Sequence, residues 1–260
     1  MARFPALRAT EYFAVAYLRT WRGTVMTTFL NPVLYLAAMG VGLGTFVNRG
    51  PHASALLGHV SYLDFVGPAL VASTAMQTAA TESTFPVMAA IKWRRTYEGM
   101  LATPLSVGDV IIGHFLWIAT RIFMAVTVYL VVLVAFGAAR SPLVVLVVPA
   151  GLLTGLAFTG PLVAFAASQE NDNSFPMVFR LGLIPLFLFS GTFFPLSQLP
   201  SWLHIVAYCT PLWHGVELCR SFALGTAGFA ASLIHATYLV VLAAAGLAVA
   251  SVTYRRRLVT

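Results

Sequence analysis

Long apolar runs alternate with short polar stretches along this chain, at a spacing that predicts helices crossing a lipid bilayer. A hydrocarbon core about 30 Å thick requires about 20 consecutive helical residues. Runs of about this length occupy 24–47, 62–90, 107–137, 143–167, 175–194 and 229–254. The pattern predicts six transmembrane helices, and an even number places both termini on the same side.

The stretch ahead of the first run, residues 1–23, has the pattern of an amphipathic helix. At 100° per residue, charged residues share one face and aromatic residues lie opposite: Arg8, Glu11, Arg19 and Arg22 against Phe13, Tyr17 and Trp21. We expect this helix to lie in the membrane interface with its aromatic residues toward the acyl chains. A solvated helix preceding the membrane is the alternative.

Residues 195–225, between the fifth and sixth runs, are apolar but interrupted by Pro200, Pro211 and Gly215. Irregular backbone at membrane depth persists only where protein or water satisfies its polar groups. The segment therefore predicts a pair of short re-entrant helices rather than another crossing.

Composition supports a membrane protein, since 59% of the residues are hydrophobic and ordinary soluble domains have about 45–50%. We expect an all-α integral membrane protein with one domain, residues 1–260. Its parts are an interface helix at 1–23, a six-span bundle at 24–254 and a basic tail at 255–260. The formal charge of +7 does not indicate nucleic-acid binding, because the positive residues flank apolar runs.

The positive residues are distributed unequally between the two predicted faces. One face carries Arg3, Arg8, Arg19, Arg22, Lys92, Arg94, Arg95, Arg180, Arg255, Arg256 and Arg257. The opposite face carries Arg49, Arg140 and Arg220. By the positive-inside rule, both termini of this multi-pass cell-membrane protein are expected to be cytoplasmic.

The charged stretch KWRRTYEGMLATPLS, residues 92–106, falls on the cytoplasmic side between the second and third runs. Its basic residues are sufficiently explained by their effect on orientation. Met100 and Leu101 are expected to add an apolar patch facing the cytosol, and a patch rimmed by polar groups indicates a contact surface. We expect a short helix here that docks on a cytoplasmic partner.

Three segments resemble the permease subunits of ABC-2 type exporters, and the nodulation-type lipo-oligosaccharide and daunorubicin-resistance permeases in particular. They are RRTYEGMLATPLSVGDVIIG at 94–113, NPVLYLAAMGVGLG at 31–44 and FSGTFFPLSQLP at 189–200. The resemblance covers nearly the whole chain. It implies an ATP-driven exporter of a lipid-linked saccharide, a lipid or a hydrophobic drug.

The resemblance also implies partners and a coupling site. Two such permeases, in a homodimer or a heterodimer, join two ATP-binding cassette subunits that carry ATP and Mg²⁺. The loop after the second span becomes a coupling helix, with that role falling on Arg94, Arg95, Thr96, Tyr97, Glu98, Met100 and Leu101. The amino-terminal helix and residues 169–173 are expected to make secondary contacts.

The sequence lacks a P-loop motif for binding and hydrolysing ATP. A phosphate-binding P-loop reads GxxxxGK[ST], whereas the only lysine, Lys92, lies between Ile91 and Trp93. ATP hydrolysis through such a motif therefore requires another polypeptide, and no cofactor is expected in this chain.

Glu82 and Arg121 lie at similar predicted depths, about 12 Å and 16–21 Å from the cytoplasmic ends of the second and third runs. We expect them to form an intramembrane ion pair, as a structural tie or as part of a transport path. His114 is a candidate for the same network. Aromatic residues form a candidate substrate groove, with exposure to lipid as the alternative: Phe29, Tyr35, Phe187, Phe189, Phe193 and Phe194.

Other function classes have less support. The sequence has no HExxH or GxSxG pattern that would indicate an intramembrane enzyme. The histidines in loops or near span ends are too scattered to assign a catalytic or metal site: His52, His59, His204, His214 and His235. Secondary transport would use broken helices, for which Pro68, Pro86 and Pro185 are candidates. Cys209 and Cys219 are expected to be unpaired, with a disulfide as the alternative.

Overall fold

The computed structural model describes residues 4–50, 57 and 60–259, so Arg3, His52 and His59 lie outside the described residues. The described part is helical. The helices are α1 Pro5–Leu18, α2 Trp21–Val47, α3 Tyr62–Ser83, α4 Phe85–Met88, α5 Thr96–Leu101, α6 Val107–Ala135, α7 Pro142–Ser168, α8 Phe175–Phe189, α9 Ser201–Tyr208, α10 Pro211–Leu224 and α11 Phe229–Val259.

Four helices of the described part, α2, α6, α7 and α11, are long and apolar enough to cross a membrane. The helices at the second and fifth predicted runs, α3 and α8, are not among these four. Helix α3 has 22 residues but is less apolar, and α8 ends at Phe189, five residues before the predicted end. At about 1.5 Å per residue, α8 is about 22 Å long, which is shorter than a hydrocarbon core.

Helix α3 is less apolar because it occupies the centre of the bundle. It packs against α6, α7 and α10, and most of its residues are buried. A buried helix contacts protein rather than lipid, so it accommodates polar side chains that find partners. Position, rather than length, explains its weak hydropathy.

Two aspartates lie in the first turns of helices α3 and α6. Asp64 accepts a hydrogen bond from the backbone N–H of Ser61 at the start of α3, and Asp109 does the same for Ser106 at the start of α6. Both form capping boxes, which satisfy backbone N–H groups left free at a helix start. Arg140 also donates to Asp64 at 2.5 Å, which compensates a carboxylate that is only 2% exposed.

Helices α7 and α11 approach most closely at Gly160 and Gly246. A Cβ atom on Gly160 would lie 2.4 Å from the carbonyl carbon of Gly246, so the two backbones are in direct contact. Gly151 and Gly155 of α7 pack against α6, since Cβ atoms added to them would meet Val126 and Ile122.

The amino-terminal helix differs from its prediction. It ends at Leu18, and Trp21 begins α2 instead of completing the aromatic face. Phe13 stacks on His114 of α6 with centroids 4.7 Å apart, and Tyr17 packs against Trp117 at 5.6 Å. The aromatic face of α1 therefore packs against α6, and its location in the membrane interface stays a prediction.

The connection between the fifth and sixth runs forms two short helices, α9 and α10. Arg220 anchors α10 to the rest of the protein. Its side chain donates to the Phe65 carbonyl at 3.2 Å and to the Gly191 carbonyl at 2.6 Å.

The two cysteines are unpaired, as predicted, with Cys209 exposed and Cys219 buried.

Candidate functional site

The segment preceding α5 reverses the chain sharply. A π-helical turn, Ala89–Trp93, follows α4, and Arg95 then takes a left-handed conformation with φ of 49°. A residue with a side chain is uncommon in this region and costs about 1 kcal/mol or more there. The surrounding contacts must therefore hold α5 firmly in place.

Helix α5 presents a charged face to the solvent. Arg94, Arg95 and Glu98 are exposed, whereas Tyr97 and Met100 are buried and Leu101 is half-buried. The expectation that Met100 forms an exposed apolar patch was wrong, because the helix turns this side chain toward the bundle. The surface available to a partner is polar, and Arg95 pairs with Glu98 on it at 3.5 Å.

Tyr97 connects α5 to two other helices through a buried polar cluster. Its hydroxyl lies 2.6 Å from Nδ1 of His114 on α6 and 3.1 Å from the hydroxyl of Tyr254 on α11. All three side chains are almost fully buried. His114 therefore belongs to this cluster and not to the pair of Glu82 and Arg121 predicted to include it.

An exposed ionic contact lies beside this cluster. Glu170, in the loop before α8, accepts hydrogen bonds from Lys92 at 2.5 Å and from Arg257 of α11 at 2.6 Å. Hydrogen bonds from Arg257 and Lys92 lower the pKa of Glu170 to about 2. Within 169–173, Glu170 thus pairs with this chain's own basic residues.

This ionic contact is expected to be insensitive to pH between 5 and 8. The folded pKa of Glu170 is depressed from 4.5 to about 2, so its stabilising contribution is present above about pH 4.5 and is lost only as pH falls toward 2. The difference in melting temperature between wild type and Glu170→Gln should therefore stay constant from pH 8 to pH 5 and shrink in high salt.

Glu11→Gln is a matched control, because Glu11 forms an exposed pair with Arg8 of the same helix. It should leave the melting temperature unchanged throughout. A wild-type advantage over Glu170→Gln that disappears between pH 8 and pH 5 would contradict the assignment.

A cavity of about 310 Å³ lies among α2, α3 and α6. It extends from Leu70 to Glu82 along α3, a distance of about 18 Å. Most of the residues that line it carry a hydroxyl, amide or charged group: Thr24, Thr28, Asn31, Tyr35, Ser73, Thr74, Gln77, Thr78, Thr81, Glu82, Arg121 and Tyr129. The Tyr129 hydroxyl is buried there and finds no hydrogen-bond partner among the described residues.

Glu82 and Arg121 meet at one end of this cavity, next to the end of α3. Arg121 Nε donates to Glu82 Oε1 at 2.9 Å, with the two side chains 11% and 20% exposed. The guanidinium also lies over the ring of Tyr17, 4.4 Å from its centroid. The structure thus brings these two charges together and links them to α1.

The aromatic groove is only partly assembled. Tyr35 and Phe187 line the cavity, with ring centroids 6.5 Å apart, and Phe193 packs on Phe187 at 4.8 Å. Phe29 and Phe189 are exposed on the helix surface, and neither they nor Phe194 line the cavity. The cavity wall is accordingly more polar than the predicted groove.

The histidines provide no metal centre in the described ranges, where no group of three or more His, Cys, Asp or Glu side chains is placed to hold an ion. Two of the histidines considered too scattered for a site do meet, since His214 Nδ1 lies 2.7 Å from His235 Nδ1. This pair joins α10 to α11 and is surrounded by Trp213 and Tyr238.

Sequence reasoning missed the polar lining of the cavity, although a signal for it exists. Ser73, Gln77 and Thr81 recur every four residues along α3, and Thr74, Thr78 and Glu82 form a parallel row. Spacing of four places side chains on one helical face. A polar stripe within a transmembrane run therefore marks a cavity wall. Tyr254 carried no comparable signal.

Comparison with known proteins identifies the family of this chain. Residues 10–224 match the ABC-2 type transporter family. The chain is similar to nodulation protein J of Bradyrhizobium diazoefficiens, at 30% identity over 92% of this chain and 89% of that protein. Nodulation protein J of Rhizobium leguminosarum bv. trifolii is 32% identical over 79% of this chain and 77% of its own length. The chain belongs to the ABC-2 type transporter family.

Proposed function

We propose that this chain is the membrane-spanning subunit of an ATP-driven exporter that moves an amphiphile with a hydroxyl-rich headgroup out of the cell. The cavity among α2, α3 and α6 is the observation on which this proposal rests. Its walls offer hydroxyl and amide groups that exchange hydrogen bonds with a sugar-like headgroup, and an unpartnered Tyr129 hydroxyl. A purely hydrophobic drug would leave the buried Tyr129 hydroxyl unsatisfied, at a cost of about 1–3 kcal/mol.

The proposal assigns the hydrolysis of ATP to a separate subunit. Two cassette subunits, each binding ATP and Mg²⁺, dock on the polar face of α5 in a complex with two copies of this chain. Arg94, Arg95 and Glu98 are the exposed groups for this contact. Arg8 and Tyr12 of α1 share a cavity of about 420 Å³ with this segment, which supports α1 as a secondary contact.

The proposed topology has six crossings, with α3 and α8 as the second and fifth. It places both termini in the cytoplasm and the protein in the inner or plasma membrane. Helices α9 and α10 form the re-entrant pair on the outer side. The shortness of α8 fits this arrangement, because α10 and α9 continue the outer half of the protein beyond it.

The proposal is tested with the tagged chain purified in mild detergent together with its co-eluting cassette subunit. After reconstitution into vesicles with ATP and Mg²⁺, an NBD-labelled glycolipid is expected to move between leaflets faster than the corresponding NBD-labelled phospholipid. Gln77→Leu with Thr78→Val should reduce glycolipid transport about fivefold or more, because each lost hydrogen bond is worth about 1 kcal/mol.

Thr120→Val is the matched control, since Thr120 is exposed on α6 and bonds to the Leu116 carbonyl of its own helix. It should transport normally. Two results would overturn the proposal: uphill transport by the chain without any cassette subunit, or transport of daunorubicin that equals glycolipid transport and resists the Gln77 and Thr78 changes.

A further inference from the structure

Three buried polar side chains meet where α5, α6 and α11 converge. Tyr97 and Tyr254 have no exposed surface and His114 is 2% exposed. Burial raises the pKa of Tyr97 well above its ordinary value, so its hydroxyl stays neutral. When His114 carries its proton on Nε2, Tyr97 donates to Nδ1 and Tyr254 donates to the Tyr97 oxygen, which satisfies the contacts between them.

A second contact joins the same two parts of the chain. Glu170 bridges Lys92, just before α5, and Arg257 near the end of α11. Arg257 follows Tyr254 by three residues and so shares its helix face. The segment around α5 is thus attached to the end of α11 by one buried and one exposed polar contact.

Helix α11 carries this attachment to the far side of the protein. The Tyr238 hydroxyl donates to the Cys209 carbonyl at the end of α9, at 2.5 Å. Tyr238 and Tyr254 are about 24 Å apart along the helix. Gly246, where α11 touches the backbone of α7, lies about midway between them. The helix is therefore held at both ends and supported at its centre.

We propose that Tyr97, His114 and Tyr254 form a positioning cluster through which movement of α5 displaces α11, and with it the outer helices α9 and α10. The inference rests on the proposed function, in which a cassette subunit moves α5. It adds a second path for this movement, through the last helix of the chain and not only through the helices directly connected to α5.

Removing the polar groups of the cluster is expected to uncouple α11 from α5, and the two tyrosine variants keep an aromatic ring in place. Tyr97→Phe and Tyr254→Phe each remove one hydroxyl group. His114→Leu removes the shared nitrogen, and His114→Gln retains a polar group that can restore part of the contact. Loss of about 1 kcal/mol of coupling corresponds to about a fivefold change in the response.

The native exposed Cys209 reports the movement, because Cys219 is buried. In the complex with the co-purifying cassette subunit, the rate at which a maleimide labels Cys209 is measured without nucleotide and after trapping with ADP and vanadate. The wild-type rate is expected to change on trapping. In Tyr97→Phe, Tyr254→Phe and His114→Leu this change should fall about fivefold or more, with partial recovery in His114→Gln.

Tyr62→Phe is the control, because Tyr62 is buried at the start of α3 and belongs neither to the cluster nor to the proposed cassette contact. It should respond as wild type does. A wild-type labelling rate that is the same in both states, or a normal response in all three disrupting variants, would overturn the inference alone. Failure of the chain to bind any cassette subunit would instead overturn the proposed function, and the inference with it.

Discussion

Replacing Arg121 by leucine is expected to lower the free energy of unfolding by about 3 kcal/mol and to reduce the amount of assembled protein several-fold. The change leaves Glu82 as an uncompensated carboxylate inside the bundle, and loss of one member of a buried pair costs about 3–5 kcal/mol. We expect the lower end, because the two side chains retain 11% and 20% of their exposure. Thermal unfolding of purified protein measures the effect.

The double variant Glu82→Leu with Arg121→Leu serves as the control for charge. Removing both partners of a buried pair is often neutral or stabilising, so stability should return close to the wild-type value. Transport by this variant then separates the two roles considered for the pair. A stable double variant that transports normally indicates a structural tie, and a stable but inactive one places the pair in the transport path.

A double variant as unstable as Arg121→Leu alone would contradict the electrostatic explanation. The packing of Arg121 on Tyr17 would then account for the loss, since the guanidinium lies 4.4 Å from that ring. Arg121→Lys distinguishes this case, because a lysine retains the charge but not the planar group that stacks on an aromatic face.

Gly160→Ala is expected to destabilise the protein by about 2–3 kcal/mol, although it adds a single methyl group. The new Cβ would lie 2.4 Å from the Gly246 carbonyl carbon, and backbone atoms cannot move aside as a flexible side chain does. Overpacking of this kind costs about 1–3 kcal/mol. Helices α7 and α11 must separate to accommodate it, which lowers the melting temperature.

Gly182→Ala is the matched change, because Gly182 is also helical and nothing lies within 4 Å of its added Cβ. Alanine favours a helix over glycine by about 0.5–1 kcal/mol, so this variant should match or slightly exceed wild-type stability. Equal melting temperatures for the two alanine variants would contradict a close crossing at Gly160.

Much of the fold could be predicted from local pattern because a bilayer constrains it strongly. Backbone polar groups must be satisfied within each crossing, so apolar runs predicted α2, α6, α7 and α11 closely. The end of the fifth run was wrong because Phe193 and Phe194 extend the apolar run past Ser190, Gly191 and Thr192. Gly191 takes a left-handed conformation with φ of 76°, and hydropathy does not report such a turn.

The candidate site was predicted less completely, for a physical reason that differs among its parts. Glu82 and Arg121 could be paired from their depths, since each depth follows from helix rise. The burial of Met100 depends on the direction in which α5 leaves the left-handed Arg95, which the sequence does not specify. The meeting of Tyr97 with Tyr254 joins positions 157 residues apart, and no local pattern reports such a contact.

The central position of α3 has a consequence for the order in which the protein is made. Its two carboxylates, Asp64 and Glu82, pair with Arg140 and Arg121, which the ribosome adds later. When α3 leaves the ribosome, neither counter-charge has been synthesised. Because α3 is only weakly apolar, it gains little free energy by entering lipid without these partners. Stable packing of this helix must therefore wait until α6 and the turn after it have been translated.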